Sequence, residues 1–135
     1  MLFRSTPSSG SNRISTFISN SWLQGNGGGV SNGINTLTTI YETMITGNQG
    51  VAIAIQGFGF VTECNVESCV IAHNGTGIQT NNGSPFLRLS NTTVVNNSTG
   101  FQLTSGTVAS WVNNRITQNV PGGGSPTPGQ TIAFQ

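Results

Sequence analysis

A nine-residue frame recurs along the chain and constrains its fold more than any other feature of the sequence. The frame reads apolar-x-polar-x-x-apolar-x-x-Asn, and its copies begin at Ile18, Ile40, Val66, Leu89 and Trp111. The steps between these starts are 22, 26, 23 and 22 residues, and a repeat of this length is typical of a solenoid. Because Gly and Asn interrupt the chain often and many intervening residues are β-branched, each repeat predicts short strands rather than helices.

The repeat also predicts which side chains face the interior. If each repeat forms one coil, every strand stacks on its equivalent in the next coil at about 4.8 Å, and the apolar positions form continuous buried columns. We therefore predict an all-β solenoid of about four to five coils with three short strands per coil. The predicted inward columns are 18, 40, 66, 89 and 111; 23, 45, 71, 94 and 116; and 30, 51, 78 and 101.

The last residue of every frame is an asparagine. We predict that these residues lie at a corner of the coil, where Asn tolerates left-handed backbone angles and its amide satisfies backbone groups of the turn. Stacked coils would bring the amides into a hydrogen-bonded ladder with a structural role. The residues are Asn26, Asn48, Asn74, Asn97 and Asn119.

Over roughly residues 14–120, these frames resemble the repeats of the right-handed parallel β-helix, or pectin-lyase-like, superfamily, including its carbohydrate-binding and sugar-hydrolysis domains. The resemblance implies a right-handed parallel β-helix but no single function, since this scaffold carries enzymes, tailspikes, adhesins and inert spacers. Its lyases hold calcium with clustered Asp and Glu and use a basic residue to abstract a proton, and its hydrolases use several Asp. This chain contains no Asp and no Lys, so we carry over no catalytic residue and predict no cofactor.

The composition shifts at both ends of the repeat region. We predict an irregular N-terminal arm at 1–13, the β-helix at 14–120, and a Gly/Pro-rich tail at 121–135 in which 131–134 can form a final strand. Family members usually cap the first coil with an amphipathic helix, and residues 1–12 lack that pattern. We therefore expect either a fragment of a longer β-helix or a first coil covered by a partner chain, and self-association through exposed coil ends.

Charged residues make up only 5% of the chain, with a net charge of +1. Nucleic-acid binding needs clustered Lys and Arg, and a membrane span needs about 18 apolar residues, so we predict neither partner. Two Cys and one His do not supply a four-ligand metal site. Cys64 and Cys69 fit either buried thiols or a disulfide. The polar but uncharged surface favours an extracellular or cell-surface location.

Two groups of residues are candidates for a functional site. Strand alternation predicts an outward column containing Trp22 and Met44, which with Tyr41 on the neighbouring face would form a stacking surface for sugar rings. The alternative is that the arm or the tail covers this surface. Glu42 and Glu67 lie one coil apart, which predicts carboxyl groups roughly 5–7 Å from each other, near the separation that glycosidases use.

The simpler interpretation of this acidic pair is two solvated surface acids, with Glu67 paired to Arg88.

A third feature is the longest coil, in which residues 56–60 predict a loop on one flank, where the superfamily often carries functional groups. Besides Glu63, that loop offers Phe58 and Phe60.

We predict a non-catalytic, secreted or cell-surface β-helix scaffold that binds polysaccharide. One alternative is a fragment of a polysaccharide lyase or hydrolase whose active site lies outside these 135 residues. The other is an ice-binding protein, because a flat face with few charges and repeated Thr suits that role. Its threonine ladder is incomplete, since the outward column reads Gln24, Thr46, Ala72, Val95 and Thr117.

Overall fold

The computed structural model describes residues 3–5, 13–111, 113–120 and 131–134. Strands and turns account for these residues, and a membrane-spanning helix is not among them. The strands are β1 Phe3–Ser5, β2 Ile14–Ser19, β3 Trp22–Gln24, β4 Val30–Asn32, β5 Thr36–Tyr41, β6 Met44–Thr46, β7 Val51–Gln56, β8 Glu63–Glu67, β9 Val70–Ala72, β10 Thr76–Asn81, β11 Phe86–Ser90, β12 Thr93–Val95, β13 Thr99–Leu103, β14 Thr107–Trp111, β15 Arg115–Thr117 and β16 Thr131–Phe134.

These strands form three parallel sheets, and each coil that is fully described contributes one strand to each sheet. Sheet A has the order β1-β4-β7-β10-β13, sheet B the order β16-β14-β11-β8-β5-β2, and sheet C the order β15-β12-β9-β6-β3. Apart from β14 and β16, each strand therefore pairs with the strands three positions away in the chain, as a solenoid requires. The predicted all-β parallel solenoid with three strands per coil is confirmed.

Apolar columns fill the space between the sheets. On sheet B, Ile18, Ile40, Val66 and Leu89 are in register, and on sheet C the column from Leu23 to Ile116 follows the prediction. Strand alternation produces this burial, because β8 and β11 alternate between half-buried outward and fully buried inward residues.

Two residues assigned to the columns face elsewhere. Leu89 pairs with Ser110 rather than Trp111, while Val94 pairs with Ile116. The corner of the fifth coil therefore holds one residue more than the fourth, and Trp111 falls on the outer face of sheet B. One-residue shifts of this kind exchange the two faces of a strand.

The second error concerns sheet A. Val30 pairs with Ile53, whereas Val51 pairs with Thr76 outside the column. Positions equivalent to Ala52 are otherwise glycine, and a Cβ at Gly29 would lie 2.4 Å from the Ala52 carbonyl oxygen. The close approach of neighbouring backbones at this corner explains why only small residues occupy it.

The asparagine ladder is present in the interior. Asn48 Nδ2 donates to Asn74 Oδ1 at 2.9 Å, and the same bond recurs from Asn74 to Asn97 and from Asn97 to Asn119, each at 3.0 Å. The prediction that these asparagines occupy the left-handed positions of the corner is wrong, however. Positive φ angles occur one residue earlier, at Gly25, Gly47, His73, Asn96 and Gln118. The ladder residues are thus selected by their amide hydrogen bonds rather than by their backbone angles.

Short strands extend the stack at both ends. β1 pairs with β4, with Phe3 opposite Val30, so residues 3–5 of the predicted irregular arm have regular structure. β16 pairs with β14, with Thr131 opposite Val108, which adds a sixth strand to sheet B. The remaining predictions for the arm and tail, over 6–12 and 121–130, lie outside the described residues.

Cys64 and Cys69 are both buried, and neither forms a disulfide. Loss of hydration in the interior raises the pKa of the Cys64 thiol to about 12 and also raises that of Cys69. Cys69 Sγ donates to the Glu67 carbonyl oxygen at 3.1 Å. The structure therefore agrees with the buried thiols and not with the disulfide.

Candidate functional site

Charged side chains are concentrated on the outer face of sheet B and at its edges. The chain has four Lys and Arg residues and three Asp and Glu residues in total. Glu63 and Glu67 point outward from β8 and Arg88 points outward from β11, because the intervening residues of both strands are buried. Arg13 lies just before β2, and Glu42 lies just after β5.

Glu63 joins two arginines across this face. Arg13 Nη2 donates to Glu63 Oε1 and Arg88 Nη1 donates to Glu63 Oε2, each at 2.7 Å. Arg88 Nη1 also donates to Asn65 Oδ1 at 3.2 Å, and the guanidinium carbon lies 4.3 Å from the centre of the Phe86 ring. Hydrogen bonds from Arg88 and then Arg13 lower the pKa of Glu63, so its carboxyl group is ionised at neutral pH.

The predicted pairing of Glu67 with Arg88 is wrong. The strand register places Arg88 beside Asn65, and its ion pair is with Glu63. Glu67 Oε1 instead accepts a hydrogen bond from Ser68 Oγ at 3.3 Å.

Two clefts lie on either side of Arg88, which lines both of them. The first has a volume of about 390 Å³, and the second about 380 Å³. The first cleft is lined by Gly59, Phe60, Val61, Thr62, Glu63, Ser84, Phe86 and Arg88. The second is lined by Asn65, Val66, Glu67, Arg88, Ser90 and Trp111.

The flank loop, residues 57–62, forms one wall of the first cleft. Thirteen positions separate the paired column residues Ile53 and Val66, against ten between Val30 and Ile40, so the longest coil inserts three residues here. Hydrogen bonds from Gly57 N and Phe58 N to the carbonyls of Asn81 and Asn82 hold the loop against the next coil. Its apolar residues remain open to solvent, with Phe60 53% and Val61 60% exposed.

Glu42 and Glu67, the two predicted acids, are joined by a backbone hydrogen bond. Glu42 lies at the corner after β5 with a φ of 45°, and its amide donates to the Glu67 carbonyl oxygen at 3.1 Å. Tyr41 is in register with Glu67 on sheet B. A hydrogen bond with Glu42, the charge of that residue, partial burial and the charge of Glu67 raise the pKa of Tyr41. The structure therefore brings Tyr41 together with the two acids.

Trp22 and Met44 lie on a different face. They are in register on the outer side of sheet C, where Trp22 is 66% and Met44 40% exposed. Tyr41 is separated from them by the corner at Glu42 and Thr43. The predicted sugar-stacking surface is thus divided between two faces, and its binding role stays a prediction.

Sequence reasoning named Phe60 of the first cleft but missed the cleft residues Phe86 and Trp111. The outward position of Phe86 was available from the alternation of Phe86-Leu-Arg88-Leu-Ser90. Trp111 had no such signal, because the extra residue at the fifth corner shifts it from the inner to the outer face. Among the described residues, no group of three or more His, Cys, Asp or Glu is placed to hold a metal ion.

Stacked parallel coils with three strands each and an interior asparagine ladder define a parallel β-helix. The family model described as right handed beta helix region matches residues 7–122. The chain belongs to this family. Comparison with curated proteins and with solved structures found no match.

Proposed function

We propose that the protein is a non-catalytic β-helix module that binds a polysaccharide on the outer face of sheet B, in a secreted or cell-surface setting. The observation that carries the proposal is the pair of clefts that meet at Arg88, with the aromatic side chains of Phe86 and Trp111 on opposite sides of it. Their volumes fall within the range of small-ligand sites, about 300–1,000 Å³.

The cleft residues offer both kinds of contact that a sugar chain needs. Aromatic rings present apolar faces to the C–H groups of a pyranose ring. Asn65, Glu67 and Ser90 line the second cleft beside Trp111 and can bond sugar hydroxyls. From Phe86 to Ser90 the strand covers about 13 Å at 3.3 Å per residue, which suits a short stretch of a linear glycan lying along β8 and β11. The extracellular setting is supported by a surface with so few charges.

The test measures how tightly an array of polysaccharides is bound by four proteins: the wild type, Trp111→Ala, Phe86→Ala and Trp22→Ala. We expect each of the two sheet B substitutions to weaken binding by about tenfold, equivalent to about 1.4 kcal/mol. Trp22→Ala, which removes an equally large exposed side chain from sheet C, should leave the affinity unchanged. Thermal unfolding of each variant, together with retention of binding in Trp111→Phe, separates a lost contact from a lost fold.

The opposite pattern of binding would contradict the placement of the site on sheet B. Loss of binding in Trp22→Ala with full binding in Trp111→Ala would place the glycan on sheet C. A folded wild type that binds no polysaccharide on the array would refute the proposal.

A further inference from the structure

Carboxylates outnumber cations on the outer face of sheet B. Glu42, Glu63 and Glu67 lie on or beside it with Arg13 and Arg88, so three negative groups against two positive groups leave one net negative charge. The face is therefore not an anion-binding patch, although it holds two guanidinium groups.

Both arginines are already engaged. The two oxygens of Glu63 accept one charge-assisted bond from each arginine at 2.7 Å, and such bonds are about twice as strong as neutral ones. The Glu63 side chain is 23% exposed, against 36% for Arg13 and 37% for Arg88. An anionic ligand that reaches the remaining N–H groups of either arginine would lie close to the Glu63 carboxylate, whose negative charge opposes it.

The second cleft adds repulsion. Arg88 is shared between the clefts, but the other ionisable side chain that lines the second one is Glu67. A carboxylated sugar seated beside Trp111 would therefore place its charge next to Glu67. Hydroxyl groups avoid this cost, since they donate to carboxylates and accept from the remaining guanidinium N–H groups.

We infer that Glu63 sets the ligand class of this surface, and that by holding Arg13 and Arg88 it selects an uncharged, hydroxyl-rich glycan over an anionic one. This inference rests on the proposed function. Glu63 acts here through the arginines, as a residue that determines specificity.

The experiment compares matched probes that differ only in charge: cellohexaose, maltohexaose and mannohexaose, each with its C6-carboxylated derivative. Dissociation constants are measured by titration calorimetry for the wild type and for Glu63→Gln. We expect the wild type to bind at least one neutral hexaose, and to bind its carboxylated form at least about tenfold more weakly. Glu63→Gln frees both arginines and should shift this ratio about tenfold or more toward the carboxylated probe, with the shift shrinking as salt is added.

Glu42→Gln is the matched control, because it removes the same charge at the edge of the face from a residue that lines neither cleft. Its ratio should stay within about twofold of the wild type, since its charge lies outside both clefts and is screened by water. Arg13→Gln is a second test that changes no strand residue, and it should widen the preference for the neutral probe.

The outcomes separate the two proposals. A wild type that binds a carboxylated probe as tightly as its neutral form, with binding lost in Trp111→Ala, overturns the inference and leaves the proposed function standing. An equal shift in Glu42→Gln and Glu63→Gln also overturns it, because net charge alone would then decide the ligand. A wild type that binds none of the six probes and no polysaccharide on the array overturns the proposed function and the inference with it.

Discussion

Asn74 shows how a buried polar side chain has its hydrogen bonds satisfied inside this stack. It is 2% exposed, and its Nδ2 donates to the carbonyl oxygens of Ile45 and Ala72 and to Asn97 Oδ1, all at 3.0 Å. Its Oδ1 accepts from the backbone N and the Nδ2 of Asn48 at 3.1 and 2.9 Å. One amide thus serves its own coil and both neighbouring coils, and every donor and acceptor of the side chain is used.

Asn74→Ala should destabilise the protein by roughly 3 kcal/mol or more. The substitution leaves the Asn48 amide groups and the Ile45 carbonyl buried without these partners, and each unsatisfied group costs about 1–3 kcal/mol. Urea unfolding monitored by Trp fluorescence measures the loss. Gln102→Ala removes an exposed amide from sheet A and should change stability by less than about 0.5 kcal/mol. Equal effects of the two variants would contradict the structural role of the ladder.

Two glycines at equivalent corners provide a second residue-scale prediction. A Cβ at Gly75 would lie 2.2 Å from the Gln49 carbonyl oxygen, whereas a Cβ at Gly27 would meet nothing within 4 Å, and neither residue has a left-handed φ. We expect Gly75→Ala to cost about 1–3 kcal/mol by forcing two backbones apart. Gly27→Ala should be neutral or stabilising by up to about 1 kcal/mol, because it restricts only the unfolded chain. The expected result is a lower melting temperature for Gly75→Ala and an unchanged or higher one for Gly27→Ala, and a loss at Gly27 would contradict this account.

At the scale of strands, what the sequence could predict depended on whether a column kept a constant spacing from the repeated frame. The column from Leu23 to Ile116 follows the repeat because the frame fixes the spacing within sheet C. Ile53 and Ser110 escaped prediction because one extra residue lies before Ile53 and one lies after Ser110, and neither disturbs the apolar pattern nearby. A repeat that is read by its apolar positions alone does not reveal these shifts of register, since Val51 and Trp111 are also apolar.

The candidate site was harder to predict than the core for a related reason. Outward residues do not follow the apolar repeat, so predicting the contact of Glu63 with Arg13 required knowing the strand order of sheet B and that the arginine extends past β5. The adjacency of the Glu42 and Glu67 backbones could be predicted because the two residues are one coil apart. The clefts were not found, since they depend on a three-residue insertion at one corner and on the shifted Trp111.

The bridge at Glu63 connects residues on β8, on β11 and just before β2, and its contribution should depend on pH. Because the arginines lower the folded-state pKa of Glu63 below the ordinary 4.5, its stabilisation is fully present above that value and is lost as the pH falls through the folded pKa. The three side chains are partly exposed, so we expect Glu63→Gln to cost only about 0.5–1 kcal/mol at neutral pH. Urea unfolding of both proteins over a descending pH series should show this difference vanishing in acid.

The control for this prediction is the same substitution in an Arg13→Gln/Arg88→Gln background. Without the guanidinium groups, Glu63→Gln should have no effect that varies with pH. A difference between wild type and Glu63→Gln that stays constant from neutral to acidic pH would show that the bridge does not stabilise the fold.

Across the part of the molecule that the structure describes, each strand pairs only with the strands directly above and below it in its sheet. Within the described residues, β6, β9 and β12 of sheet C have a partner strand on both sides, whereas β3 and β15 have one. In such a linear stack, stability is approximately a sum of coil stabilities and neighbour interfaces. The end coils therefore have fewer stabilising interfaces than the central ones.

This arrangement predicts a gradient of amide protection along the stack. Local opening should cost least where a strand has a single partner, so amides of β15 should exchange at least about tenfold faster than those of β9, a difference of about 1.4 kcal/mol or more. Native-state hydrogen exchange followed by NMR measures both strands in one sample. Asn74→Ala should then speed exchange in β9 more than in β15, because its lost bonds belong to the central interfaces. Uniform protection across both strands would instead mean that all coils open in a single cooperative step, and the additive account of this solenoid would be wrong.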